Sequence, residues 1–187
     1  FVQKRLFNYF ANSIFPRLGR LYDPFSNLDA TINDHDLHVR NLLKYYEAYL
    51  HQNRERLLKD APRREVDLRI FEAIYHFNLY QYLVRFLESY DARIYPEFPT
   101  GNGKIDLLIK HAGKLYGLEL KSFANPRQYR KALQQAALYA RQLNLPQITL
   151  VLFVDAVDDV HRQQYEVVYN DAQTGVTVDP VFVVTGE

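Results

Sequence analysis

The chain has 187 residues, 48% of them apolar, enough to bury a full core as one sizeable domain with an appendage or as two small ones. A formal net charge of +1 excludes a global basic field, so contact with nucleic acid has to come from local clusters. Cysteine is absent, which excludes disulfides, thiolate nucleophiles and cysteine zinc sites. No apolar run reaches membrane-spanning length and no secretory pattern opens the chain, so the expectation is a cytoplasmic protein without a membrane partner. Methionine is missing even at position 1, so a piece of a longer polypeptide is expected.

In chain order, Val2, Leu6, Phe7, Phe10 and Ile14 fall at helical spacing, and Pro16 ends that run. Residues 18 to 33 read as loop, with Gly19, Asp23-Pro24 and Ser26-Asn27. Asp34 or Asp36 is placed to cap a helix from His38 to about Lys59, with Leu42, Tyr45 and Tyr49 on one side. The aromatic stripe of Tyr45, Tyr46 and Tyr49 fits core or interface packing, with base stacking as the alternative. Lys59 to Arg64, containing Pro62, is the expected boundary between a helical extension (1–62) and the main domain (63–187).

Periodicity predicts a long helix from Val66 to Ser89. Asn78, Gln81, Arg85 and Glu88 share an arc that reads as its solvated stripe. Arg69, Glu72 and His76 form a second polar strip roughly opposite, which must face something that satisfies it. An Arg69–Glu72 pair within the helix, with His76 satisfied in the core, is one way to do so. Ala92 to Phe98 reads as a strand that places Glu97 near its end, either lining a site or facing water. Gly101 and Gly103 in Thr100-Gly101-Asn102-Gly103 fit either turn chemistry or close approach of a phosphate backbone.

Residues 104 to 110 and 115 to 121 alternate around apolar sets on either side of Ala112-Gly113, the pattern of an antiparallel hairpin. A two-residue loop pairs His111 with Lys114, and a four-residue loop pairs Lys110 with Leu115. Either register sets Asp106 opposite Glu119. Directly opposed side chains have Cβ atoms roughly 4.5–5.5 Å apart, where two bare carboxylates repel, so a positive group is expected between them. Mg²⁺ takes carboxylate oxygens at about 2.0–2.1 Å and can be shared by such a pair. Lys121 lies two residues beyond Glu119 on the same face. Metal, acids and ammonium together suit attack of an activated water on a phosphodiester, with Lys121 orienting or deprotonating the water or neutralising developing charge.

Asn125-Pro126 then starts a helix lasting to about Leu143, with an Ala132, Ala136, Ala137, Ala140 stripe for close seating on a sheet. Gln135 and Tyr139 share one face of it, and Arg127, Arg130 and Lys131 near its start either touch phosphates or are merely solvated. Gln147 to Val157 has the continuous apolar pattern of a central strand, expected parallel to the Glu119 strand. Tyr165 to Tyr169 and Val176 to Val184, around Thr174-Gly175, read as a terminal hairpin that extends the sheet.

Asp106, a hairpin and then Glu119-Leu120-Lys121 resemble the signature of the PD-(D/E)xK nuclease superfamily. With Glu72 to His76 upstream and Gly103-Lys104-Ile105-Asp106 leading in, the text looks most like the nuclease-like domain at the C-terminus of certain AAA-type ATPases. Gln135 and Tyr139 are similar to a Gln-x(3)-Tyr motif of its RecB-like branch. The resemblance covers roughly residues 65 to 155, and Ile105 stands where the family has Pro. It implies an α/β fold with a core of helix, three-stranded antiparallel meander, helix and strand in a mixed sheet, flanked by an N-terminal helical extension and a C-terminal hairpin. It also implies a Mg²⁺- or Mn²⁺-dependent deoxyribonuclease. Asp106, Glu119 and Glu72 would be its metal ligands, with Lys121 and Gln135 catalytic and His76, Glu97 and Tyr139 accessory. DNA is the implied partner. An ATPase motor is implied upstream of Phe1, since no G-x(4)-G-K-[S/T] loop occurs here. The alternative is a catalytically silent nuclease-fold module that binds nucleic acid or a protein partner.

Overall fold

The computed structural model describes residues 30–101 and 103–186. The helix expected over 1–18, the loop that follows it as far as residue 29, and Asn102 lie outside the described residues. The first described helix, α1, spans Val39–Leu58 and starts one residue inside the expected boundary. Neither Asp34 nor Asp36 caps it: no side chain bonds its first turn. The Asp36 carboxylate instead accepts from the Leu37 N–H at 2.9 Å and the Tyr116 hydroxyl at 2.7 Å.

The second helix, α2, runs Glu72–Phe86 and corrects the predicted start at Val66. Residues 63–70 pair with themselves: Arg63 bridges Ile70, and the Arg64 N–H donates to the Arg69 carbonyl at 2.8 Å. Leu68 adopts φ of +55°, which no α-helical residue can hold. Arg69 therefore lies off the helix, and the expected Arg69–Glu72 intrahelical pair does not form. The stripe assigned to solvent is also corrected, because Asn78 and Gln81 are buried and the exposed positions of α2 include Ala73 and Val84. α2 lies beside α1 against one face of the sheet. Tyr75 stacks on Phe153 at 4.6 Å, and Tyr82 meets Tyr46 at 5.2 Å and Tyr49 at 5.1 Å. The Asn78 amide offsets its burial by donating to the Ile74 carbonyl at 3.0 Å.

Three antiparallel strands follow: β1 (Ala92–Pro99), β2 (Lys104–His111) and β3 (Lys114–Ser122). The β2–β3 turn is the two-residue alternative, pairing His111 with Lys114, and both central residues have the positive φ that such a turn demands, Ala112 at +50° and Gly113 at +74°. Helix α3 (Pro126–Gln142) returns the chain, with the Asn125 side chain accepting from the Gln128 N–H and Pro126 in the first turn. β4 (Gln147–Val154) then pairs parallel to β3. Residues 165–168, expected as strand, instead close α4 (Asp159–Tyr165) and its exit, because Asp158 caps that helix through the His161 N–H. The terminal hairpin shrinks accordingly to β5 (Tyr169–Asn170) and β6 (Thr177–Val184), with β6 parallel to β4.

The result is a mixed α/β structure whose six-stranded sheet has the order β1-β2-β3-β4-β6-β5. Helix, antiparallel meander, helix and parallel strand follow one another as the implied core requires, with α1 before them and the short hairpin after. Leu107, Ile109, Leu118, Leu120, Val151 and Phe153 face α1 and α2. Ile105, Leu108, Ile148, Leu150 and Leu152 face the alanine stripe of α3. Side chains normally alternate between faces, yet Ile105 and Leu107 lie on opposite ones. The break falls at Asp106. Across from it, Glu97 holds φ of +50° and has no ladder partner between the Pro96–Leu107 and Phe98–Ile105 pairs. On the other side, the β2–β3 ladder runs out at Leu107–Leu118, leaving Asp106 to reach across the gap.

Candidate active site

Asp106 fills the gap where β2 and β3 part: its Oδ2 accepts the Leu120 N–H at 2.8 Å, in place of a strand carbonyl. Glu72, the first residue of α2, does the same one step along, its Oε2 accepting the Ser122 N–H at 2.9 Å. The two acids are thus fixed to the backbone on either side of Lys121. The Lys121 ammonium lies 2.8 Å from Glu119 Oε1, 3.8 Å from Glu72 Oε1 and 3.9 Å from Asp106 Oδ2. Three carboxylates from one helix and two strands therefore converge on a single cation. The ladder ends at Leu107–Leu118, so Asp106 and Glu119 are not paired as strand neighbours; the Lys121 ammonium lies between them instead.

Charge in this cluster is unbalanced, three acids against one ammonium. Glu119 is 1% exposed, and its Oε2 is buried without a hydrogen-bond partner. Burial, then repulsion from Asp106, pushes its carboxyl up to about 7, against the pull of Lys121. Burial opposes the Lys121 charge, but Glu119, Asp106 and Glu72 outweigh it and hold the ammonium above the ordinary lysine range. Lys121 is thus held as a cation and hydrogen-bond donor among the three acids.

His76, one turn after Glu72, is buried and its Nε2 stands 3.1 Å from the Asp106 carbonyl. Burial lowers its pKa, so the neutral ring donates to that carbonyl and steadies the strand at its break. Glu97 does not join the carboxylates: it pairs with Lys104 Nζ at 2.7 Å. Gln135 Nε2 donates to the Tyr139 hydroxyl at 2.8 Å, and Tyr139 lies so close to Gly103 that a Cβ there would stand 2.9 Å from its oxygen. The glycine loop is therefore a seat for Tyr139.

A cavity of about 290 Å³ opens beside Glu72 and Lys121 and is lined also by Arg64, Asp67, Ser122, Gln128, Lys131 and Gln135, whereas Asp106 and Glu119 are not among its lining residues. Arg127 and Arg130 are exposed and lie outside this wall. Sequence reasoning missed Ser122, Gln128, Arg64 and Asp67. Gln128 carried a signal, since Asn125-x-x-Gln128 has the spacing of a capping box that fixes the first turn of α3.

No protein-family model matches the chain, and no curated protein matches it. Among solved structures it is similar to Pyrococcus furiosus SfsA in complex with Ca²⁺, at 15% identity and a TM-score of 0.36, over 60% of this chain and 58% of that one. The chain thus spans less than two thirds of the length of that structure. No helix among the described residues is long and apolar enough to cross a membrane.

The donor set fits a hard divalent cation in chemistry: carboxylate oxygens alone, one of them buried and unpartnered. It is not pre-shaped for one, because among the described residues no three acidic or imidazole side chains already stand grouped as ligands. The ground between the acids is held by the Lys121 ammonium.

Proposed function

We propose that the chain is a divalent-metal-dependent nuclease domain of the PD-(D/E)xK type that hydrolyses phosphodiester bonds in DNA, joined to an ATPase in a longer polypeptide. The observation that carries this reading is the convergence of Glu72, Asp106 and Glu119 on Lys121, with Glu72 and Lys121 lining an open cavity. A structural ion pair would match charges, whereas this cluster keeps excess negative charge and leaves Glu119 Oε2 without a partner. Asp106, Glu119 and Glu72 would hold Mg²⁺ or Mn²⁺, which supplies Lewis acidity toward a phosphoryl oxygen and a potent nucleophile at neutral pH. Lys121, held protonated, donates to the charge that develops on the phosphoryl oxygens as water adds to phosphorus and the ester oxygen leaves. Lys131 and Arg64 at the opening supply positive charge for the flanking phosphates, and Gln128 and Gln135 supply amides.

Asp106→Ala and Glu119→Gln should each lower the rate of DNA cleavage in Mn²⁺ by about 10²–10³-fold or more while the protein stays folded, as loss of an electrostatic catalytic group does. Persistent wild-type cleavage by Asp106→Ala would remove the assignment. A second reading, a silent module of the same fold, draws on the way Lys121 already occupies the centre of the acids. Calorimetry separates the two: a heat of Mn²⁺ binding that vanishes in Glu119→Gln supports the nuclease, and no heat in the wild type supports the module.

A further inference from the structure

The self-paired segment at residues 63–70 stands at the lip of the cavity, and its tip is apolar. Val66 is 91% exposed and Leu68 69%, followed by Phe71 at 46%, the start of α2. Exposed apolar residues are ordinary when scattered, but here three lie within six positions beside a polar opening. The segment is also held firmly. Besides the Arg64–Arg69 backbone bond, the Leu68 N–H donates to the Arg64 carbonyl at 2.9 Å and the Phe71 N–H to the Pro62 carbonyl at 3.3 Å. Arg63 Nη1 donates to the Leu68 carbonyl at 3.0 Å, and Arg69 Nη1 ties the segment to the Phe123 carbonyl at the end of β3, also at 3.0 Å. This holds the tip in a fixed place relative to Lys121, and Arg64 and Asp67 on the same segment line the cavity. Three guanidiniums, Arg63, Arg64 and Arg69, flank the two aliphatic residues, against Glu65 and Asp67.

We propose that the 63–70 segment is a wedge that inserts Val66 and Leu68 between the base pairs of duplex DNA beside the cleaved bond, its arginines holding the segment rigid. The proposal rests on the nuclease reading for its substrate and deepens it: the preferred target is a duplex opened at the cut. Aliphatic side chains pushed between base steps unstack them at a cost of a few kcal/mol, repaid by contacts that the opened strand then makes. In this fold Arg64 and Asp67 of the same segment line the cavity, whose other lining residues Lys121, Gln128 and Lys131 are available to the freed strand. A purely polar tip would bind phosphates without opening the duplex, and an apolar tip far from the cavity would have no strand to deliver.

The test uses duplexes carrying a single 2-aminopurine, which brightens on unstacking, mixed with the whole chain in EDTA so that cutting does not intervene. Wild-type protein should raise the emission about threefold at one position, and Val66→Ser/Leu68→Ser should abolish the rise, as expected when the inserted side chains lose their apolar surface. In Mn²⁺, the ratio of cleavage of paired over pre-unpaired substrate should fall on the order of a hundredfold in the double variant, the cost of one unstacked step left uncompensated. Val66→Leu/Leu68→Met should restore both. Wild-type protein that cuts DNA without any change in emission overturns the wedge and leaves the nuclease standing; protein that brightens the probe but never cuts supports the wedge and defeats the nuclease. Self-association that the serine variant abolishes, with emission unmoved, overturns the wedge in favour of a protein contact.

Discussion

Glu119 concentrates the electrostatics of the site. Its folded-state pKa, about 7 against an ordinary 4.5, means that the folded protein holds this proton more tightly than the unfolded chain does. The sign follows directly: the contribution to stability is greatest below the ordinary value and is lost as pH rises through about 7. Lys121 titrates far above this window and leaves its shape alone. In EDTA, denaturant unfolding should therefore show stability falling by on the order of 1–3 kcal/mol between pH 5 and 8, beyond any fall seen in Glu119→Gln. Mn²⁺ at pH 8 should reverse the loss in the wild type alone. Parallel pH profiles for the two proteins would show that Glu119 is not strained. At this scale the sequence was informative where period two and a tight turn govern, hence Asp106, Glu119 and Lys121. Glu72 was flagged by its place in the second polar strip and given a metal-binding role through a resemblance, and the lining residues Arg64 and Asp67 were hidden because a segment folded on itself has no periodic signature.

Elements deliver these residues, and α3 does so through its first turn. The Asn125 side chain accepts from the Gln128 N–H at 3.0 Å, which fixes the helix entry and with it Gln128, Lys131 and Gln135 on the cavity wall. Asn125→Ala should cost about 1 kcal/mol in thermal unfolding, the usual loss for a cap of this kind, and should weaken DNA binding, whereas Asn125→Ser should leave both near wild type. An unchanged melting temperature in Asn125→Ala would mean that α3 is seated by its alanines alone. The start of α3 and the run of β4 were plain in the sequence, since proline and a cap or a continuous apolar stretch admit few alternatives. The start of α2 was not. Val66, Ile70 and Phe77 fit a helical period, but Leu68 between the first two is held left-handed by the backbone pairing around it. Asn78 and Gln81 were misassigned to solvent because their polarity was read without knowing that α1 would cover that flank.

In the whole molecule, α1 closes the face of the sheet opposite α3. Leu42, Leu43, Tyr46 and Leu50 share one apolar layer with Leu79, Leu83 and the strands. Polar ties reinforce it: Glu47 Oε2 accepts the Val184 N–H at 2.8 Å and Arg54 Nε donates to the Thr185 carbonyl at 2.9 Å. Leu50 is fully buried, so Leu50→Ala should lower unfolding free energy by about 2–5 kcal/mol. Because α1 contributes no residue to the charge cluster or to the cavity beside it, cleavage by the folded fraction should hold. A loss under 1 kcal/mol would show that α1 is a loosely laid cover.

The rims of the sheet carry a last consequence. At one border β1 carries Pro96 and Pro99, which lack N–H groups, and the left-handed Glu97 kinks the ribbon between them. At the other, β5 is two residues long. Neither margin offers an uninterrupted row of donors and acceptors to a newcomer, so copies crowded together have no template for stitching their ribbons into fibrils.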